Sequence, residues 1–393
     1  MLKRILGFMI AAIVVVCSVP ADAFMLGEES KGAKIQVTDE SDLTIRIRLQ
    51  PRVDSGDIIK SKDGNSYVKD SDMYMRRVRL EMSGQAVKNL KYNLTLDADK
   101  WDKVDSKGAT AKVALLYANI NYTFMPEFSL EFGKNKLPYS RVSLTSSSAQ
   151  LLIERPVSTE AAKKLFGGAS DSYYQTALKA EGKVAEGIFG YALALADGWS
   201  NGETLYTGKT VFKTGQLIVG RIELSPPGWV EAKKSDAHLG KGKHLTLGVS
   251  AAQQNDIEYK SGLVYYDEDR KLTGIDVSAH YEGFTAQFER IGWTIDSSEP
   301  AVGKKEPKGW HAQAGYFIAG PDIEPVARYE DYDQNSKVAN SKEKTTTVGL
   351  NWYPKGHSLK LGINRVHTTY ESAVDLANDS SKDVYQVQGQ FYF

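Results

Sequence analysis

Hydrophobic and polar residues alternate with a period of two along most of this chain. Leu43, Ile45, Ile47 and Leu49 fall on one side, and Thr44, Arg46, Arg48 and Gln50 on the other. The same holds for Leu90, Tyr92, Leu94, Leu96 and Ala98 against Lys91, Asn93, Thr95, Asp97 and Asp99. Leu116, Ala118, Ile120, Tyr122 and Phe124 likewise alternate with Tyr117, Asn119, Asn121 and Thr123. Such alternation predicts strands with two different environments. A soluble sandwich shows it too, so strand number and connection length carry the next step. Sixteen strands are predicted near 43–52, 73–83, 90–99, 113–124, 127–134, 173–183, 187–196, 209–224, 244–254, 274–282, 284–295, 309–319, 322–333, 343–353, 358–369 and 384–393. Tight turns at Met125-Pro126, 184–186, Gly283, Gly320-Pro321 and 354–357 alternate with longer connections. An even strand number with this rhythm is that of an all-β, transmembrane antiparallel β-barrel. The connection from Ser225 to Lys243 breaks the rhythm, being long on the short side.

The termini support a barrel in an outer membrane. Lys3 and Arg4 precede an apolar run from Ile5 to Val16, and Ala21-Asp22-Ala23 supplies the small residues of a cleavage site. Residues 1–23 therefore read as a secretory signal peptide, with a single barrel domain over 24–393. The apolar run is short of the ~20 residues of a spanning helix. No later stretch approaches one, and a membrane chain without spanning helices must close into a barrel. Cys17 is the only cysteine, so the processed chain has no disulfide and no thiol nucleophile. At the other end Tyr385, Val387, Gly389, Phe391 and Phe393 alternate with Gln386, Gln388, Gln390 and Tyr392. An aromatic last strand ending on Phe resembles the assembly signal of outer-membrane barrels in Gram-negative bacteria. The whole chain has 49 basic and 49 acidic residues. Without Lys3, Arg4 and Asp22 the balance is 47 to 48, and nothing in it points to nucleic acid.

The longest connection, 135–172, joins predicted strands five and six and runs to about 38 residues, a length that usually signals function. Within it, Ser158 to Leu165 predicts a short helix with Ser158 as N-cap and Glu160 in the first turn. By strand count it is the third external loop, the one that in sixteen-stranded porins folds into the lumen and sets the constriction. It carries Lys136, Arg141, Arg155, Lys163 and Lys164 against Glu154, Glu160 and Asp171. Arg46, Arg48 and Arg52 share the polar face of strand one, and Arg77 and Arg79 that of strand two. Arginine facing lipid at mid-depth costs roughly 2–4 kcal/mol, so these faces point inward. Arg and Lys in a pore wall replace part of an anion's hydration shell, and guanidinium matches phosphate bidentately. The alternative is that they pair with Glu81, Asp97, Asp99 and Glu131 and stiffen the wall.

These residues carry a family resemblance. Arg76-Arg77-Val78-Arg79-Leu80-Glu81-Met82-Ser83-Gly84, the stretch from Leu90 to Asp97, Ala118 to Tyr122 and Phe128 to Tyr139 resemble the phosphate-selective porin O and P family, as do Leu144 to Ser147, Glu154-Arg155 and Gly349 to Pro354. The resemblance implies a sixteen-stranded, homotrimeric barrel in outer-membrane lipid, passing small anions such as phosphate through a basic constriction. Carried over by position, Lys134, Lys136, Arg141 and Arg155 are constriction candidates, and Arg46, Arg48, Arg77 and Arg79 wall candidates. The competing function is a general or sugar-permeable diffusion pore. Tyr117 is the clearest luminal aromatic by phase, and one ring does not make a sugar track. An adhesive barrel would use the loops at 53–72, 255–273 and 371–383, which read as solvated surface. A barrel hydrolase would need His238, His244, His280, His311, His357 or His367 beside a nucleophile, and no motif brackets any of them. No histidine pair has short metal-ligand spacing, and there is no phosphate-cradling glycine loop. No enzyme, cofactor or metal is therefore expected.

Overall fold

Strand alternation becomes a closed wall in the computed structural model, which describes residues 32–60, 67–101, 103, 113–166, 174–200, 209–372 and 380–393. The predicted signal peptide lies outside them. Sixteen antiparallel strands form the wall: β1 (Asp42–Lys60), β2 (Tyr67–Val87), β3 (Leu90–Trp101), β4 (Val113–Met125), β5 (Phe128–Lys136), β6 (Tyr174–Val184), β7 (Phe189–Ala196), β8 (Leu217–Leu224), β9 (Lys243–Ser261), β10 (Val264–Tyr281), β11 (Phe284–Ser297), β12 (Lys308–Tyr316), β13 (Ile323–Asp333), β14 (Lys342–His357), β15 (Leu359–Tyr370) and β16 (Ser381–Tyr392). Each pairs with the next, and β16 pairs back with β1 from Val384↔Gly56 to Tyr392↔Arg48. Beyond that ladder, Phe393 N donates to Ile47 O at 3.0 Å and Phe393 O accepts from Ile47 N at 2.7 Å. The last residue of the chain thus locks the first wall strand. Short strands at Ala33–Gln36, Thr210–Lys213 and Lys304–Lys305 pair alongside β1, β9 and β11.

The two faces of the wall are reversed relative to a water-soluble protein. Leu247, Val249, Ile275, Val277, Val348 and Leu350 are exposed, while Thr246, Ser250, Asp276, Ser278, Thr347 and Asn351 on the same strands are buried. Only lipid outside and a polar interior make that arrangement favourable. No helix among the described residues is long and apolar enough to cross a membrane.

Several strands outrun their predicted limits. Residues 255–273, expected as a loop, continue β9 and β10 into a hairpin whose turn is Gly262-Leu263. Most of 53–72 likewise extends β1 and β2. Residues 53–72 are rich in Asp, Lys and Ser, a composition in which period-two hydrophobicity does not detect a strand. Predicted strand 209–224 is two pieces, Thr210–Lys213 and β8. Of the aromatics near strand ends, Tyr122 and Phe124 are exposed, whereas Trp199, Trp293 and Tyr353 are buried.

Candidate functional site

One side of the interior is basic because β1 and β2 present their arginines there. Arg48 and Arg79 face each other in the ladder, as do Gln50 and Arg77. A bulge in β2, where Arg77 pairs with Gln50 of β1 and Met75 with the adjacent Pro51, leaves Arg76 over, and it too is buried. Two consecutive arginines can face inward only because of this bulge. Arg76 has the phase of Val78 and Leu80, so alternation alone does not turn it inward, and no local signal marks the bulge. A second bulge in β4 leaves Leu116 over and turns it inward beside Tyr117, so Leu116 does not face lipid as its phase predicts.

Much of this charge is compensated. Arg48 pairs with Glu81 at 2.7 Å and Arg79 with Asp97 at 2.9 Å; both also donate to Ser147 Oγ, at 3.0 and 3.2 Å. Arg52 pairs with Asp54 at 2.7 Å and with Glu154, and Arg76 bonds Asp99 and Glu154. Arg46 donates to Ser83 Oγ at 3.1 Å. Two cations are left without an ion-pair partner among the described residues, and two guanidinium nitrogens without an acceptor there. Arg77 donates to Gln50 Oε1 at 3.0 Å and has no ion-pair partner among the described residues. Among the described residues Lys136 Nζ donates to the carbonyls of Leu144 and Thr145, at 3.1 and 3.2 Å, while Arg155, Arg79, Arg48 and Arg77 surround it electrostatically. The buried Nε atoms of Arg48 and Arg79 have no acceptor among the described residues.

The segment 137–166 meets this basic wall on one side and an acidic wall on the other. Its first helix, α1 (Arg141–Leu144), is capped by Ser140, whose Oγ accepts from Ser143 N at 3.2 Å and donates to Glu289 of β11 at 2.9 Å. Its second, α2 (Val157–Ala162), starts one residue earlier than predicted. Its cap is not Ser158: Val157 N donates to the carboxylate of Glu330 on β13 at 2.6 Å, supplying the negative charge a helix start favours. Gly309 of β12 makes room for α2, since a Cβ there would sit 2.6 Å from Ser158 Cβ. Between the helices, Asn351 of β14 donates to Leu151 O at 2.7 Å, Lys360 of β15 to Gln150 O at 2.8 Å, and Gln390 of β16 to Ser148 O at 3.2 Å. Arg328 of β13 donates to Glu154 O at 2.8 Å. Arg52 and Arg76 outweigh burial at the Glu154 carboxyl and hold it well below the usual range.

The predicted site residues therefore separate. Arg48, Arg77, Arg79 and Lys136 come together around residues 144–147. Arg155 joins them through Nη2, which donates to Thr145 O at 3.3 Å. Arg46 sits apart, toward Ser83. Lys134 is a correction: its ladder partners Ala118 and Thr176 lie on the outward side with Ile120 and Leu178, so it is not part of the cluster. Arg141 is also removed from it. It is fully buried and forms a two-pronged pair with Glu231, both bonds 2.8 Å, with a third bond to Ser235 O at 3.2 Å.

Glu231 belongs to the connection 225–242, whose length was the anomaly in the sequence. No extra wall strand is hidden there. Ala237 N and Asp236 N both donate to Ala149 O, at 3.2 and 3.0 Å, and Ala237 packs with Leu151, Leu152, Val326 and Tyr353. The connection is long because it reaches segment 137–166. Burial opposes ionisation of Glu231, but Arg141 dominates and holds its carboxyl down at about 2. A depressed carboxyl stabilises the fold above its unfolded pKa, near 4.3, and that contribution disappears only as pH falls through about 2. Thermal unfolding should therefore be insensitive to this pair from pH 5 to 8. Glu231→Gln, which leaves Arg141 buried without its anion, should cost roughly 3–5 kcal/mol, read as a lower unfolding midpoint by tryptophan fluorescence in detergent.

Residues 45–393 match the family of phosphate-selective porins O and P. The chain belongs to this family. An uncharacterized protein of Aquifex aeolicus (strain VF5) is 38% identical over 394 residues, covering 93% of this chain and 91% of the relative. Among solved structures, the porin resembles an anion-selective porin from Comamonas acidovorans with a TM-score of 0.63 at 16% identity, covering 90% of this chain and 100% of that one. It also resembles the outer-membrane channel DcaP of Acinetobacter baumannii (TM-score 0.59, 14% identity, 91% and 99% covered). A trimer form of the Vibrio cholerae outer-membrane protein OmpT gives 0.56 at 10% identity, with 90% and 100% covered. The porin is thus an outer-membrane β-barrel channel, and its family and fold point to a channel rather than an enzyme.

Proposed function

We propose that this porin passes small anions, phosphate among them, through a constriction that segment 137–166 forms inside the barrel. The observation that carries the reading is the pair Arg77, buried, and Lys136, half-buried, two cations with no ion-pair partner among the described residues, beside Arg48, Arg79 and Arg155. In a narrow, weakly screened space an unneutralised cation lowers the energy of a passing anion and raises that of a cation. The rest of the reading is a chain processed after Ala23, exported to the outer membrane of a Gram-negative bacterium and assembled there as a homotrimer.

A general diffusion pore is the second reading. It is favoured by the Arg48–Glu81 and Arg79–Asp97 pairs, which make half of the basic wall neutral. Single-channel recording in a planar bilayer under a chloride gradient separates the two. A reversal potential on the anion side, with phosphate reducing chloride current at low concentration, is the expected result. Cation preference, or none with indifference to phosphate, would leave the general pore.

A further inference from the structure

Three histidines distant in sequence meet where the connection 225–242 touches the wall. His244 and His280 are ladder partners on β9 and β10, and both are buried. His238 comes from the connection, and its ring stacks on that of His280 with centroids 3.5 Å apart. One ring nitrogen from each lies within 4.8 Å of the others. From these contacts we infer that His238, His244 and His280 form a binding site for a divalent transition metal of the zinc class.

The hydrogen bonds around the rings favour ligation. His280 Nε2 donates to Lys241 O at 2.9 Å, which in the neutral ring leaves Nδ1 as a lone pair. A metal-bound histidine characteristically donates its other N–H to a carbonyl in this way. His244 Nε2 is satisfied by Ser278 Oγ at 3.0 Å, and its Nδ1 points at His280 Nδ1. Two imidazole lone pairs in such proximity need a proton or a cation between them. His238 Nε2 is buried with no hydrogen-bond partner among the described residues, and Glu231 Oε1 stands 3.7 Å from it. Three neutral imidazoles with a carboxylate or water in the fourth position is a donor set that suits Zn²⁺.

Tetrahedral zinc, with Zn–N near 2.0–2.1 Å, needs ligand nitrogens about 3.3 Å apart. The widest pair must therefore close by roughly 1.5 Å. His238 can supply that movement, being on a connection rather than a strand. Binding would fasten 225–242 to β9 and β10, and through Glu231 and Arg141 it would fasten α1 as well. Neither the family nor the anion pathway requires such a site.

The test is isothermal titration of Zn²⁺ into the full processed chain, folded in detergent and stripped of metal with EDTA. We expect one saturable site per chain, with an affinity that falls at least tenfold in His238→Ala and in His280→Gln. His238→Ala lies outside the wall and leaves its ladders intact, which heat-modifiable gel mobility verifies. As a second readout, Co²⁺ should give the visible absorption of a four-coordinate complex in the wild type and not in His238→Ala. Absence of saturable Zn²⁺ binding, or equal binding by wild type and His238→Ala, would overturn the assignment.

Discussion

Replacing both Arg77 and Lys136 by glutamate is expected to turn an anion-preferring pore into a cation-preferring one. The change at one point of the pathway is four charge units. At an effective dielectric of about 20, one charge acts on an ion 4 Å away with roughly 4 kcal/mol. A small fraction of that, about 1.4 kcal/mol, alters a permeability ratio tenfold. The reversal potential under a salt gradient should change sign, and phosphate should no longer block. The effect should weaken at 1 M salt, where screening acts over about 3 Å. Lys134→Gln is the control, since Lys134 shares the outward side with Ala118 and Thr176. If the double variant keeps the selectivity of the wild type, these cations only brace segment 137–166.

Deleting Phe393 should remove most of the folded barrel. Its backbone makes two hydrogen bonds to Ile47, and the rest of β16 closes the wall against β1. A sheet that does not close leaves unpaired backbone groups in lipid, each costing several kcal/mol. We expect the truncated chain to run as the heat-denatured form on gels without heating and to be lost from the outer-membrane fraction. Phe393→Ala keeps the backbone bonds and removes the ring. Comparing the two separates wall closure from recognition of the terminal aromatic. Normal yield of folded barrel from the deletion would show that closure does not depend on this residue.

How far the chain could be read in advance follows from what period two can encode. All sixteen wall strands, and the inward direction of Arg48, Arg77 and Arg79, were legible because alternation is local and lipid penalises charge on the wrong face. The tertiary structure decided what depends on pairing between distant segments. Arg76 and Leu116 face inward because a bulge adds one residue on one strand, which alternation along that strand does not reveal. Lys134 and Lys136 have the same parity, yet only Lys136 is drawn in, by carbonyls eight and nine residues further on. Compensation of Arg48 by Glu81 and Arg79 by Asp97 follows from strand register. The role of 225–242, its Glu231–Arg141 pair and the meeting of His238 with His244 and His280 appear only once the barrel closes and two long connections meet. Alternation along one strand specifies which face a side chain takes. Which other side chain it finds there is set by register and by closure of the wall.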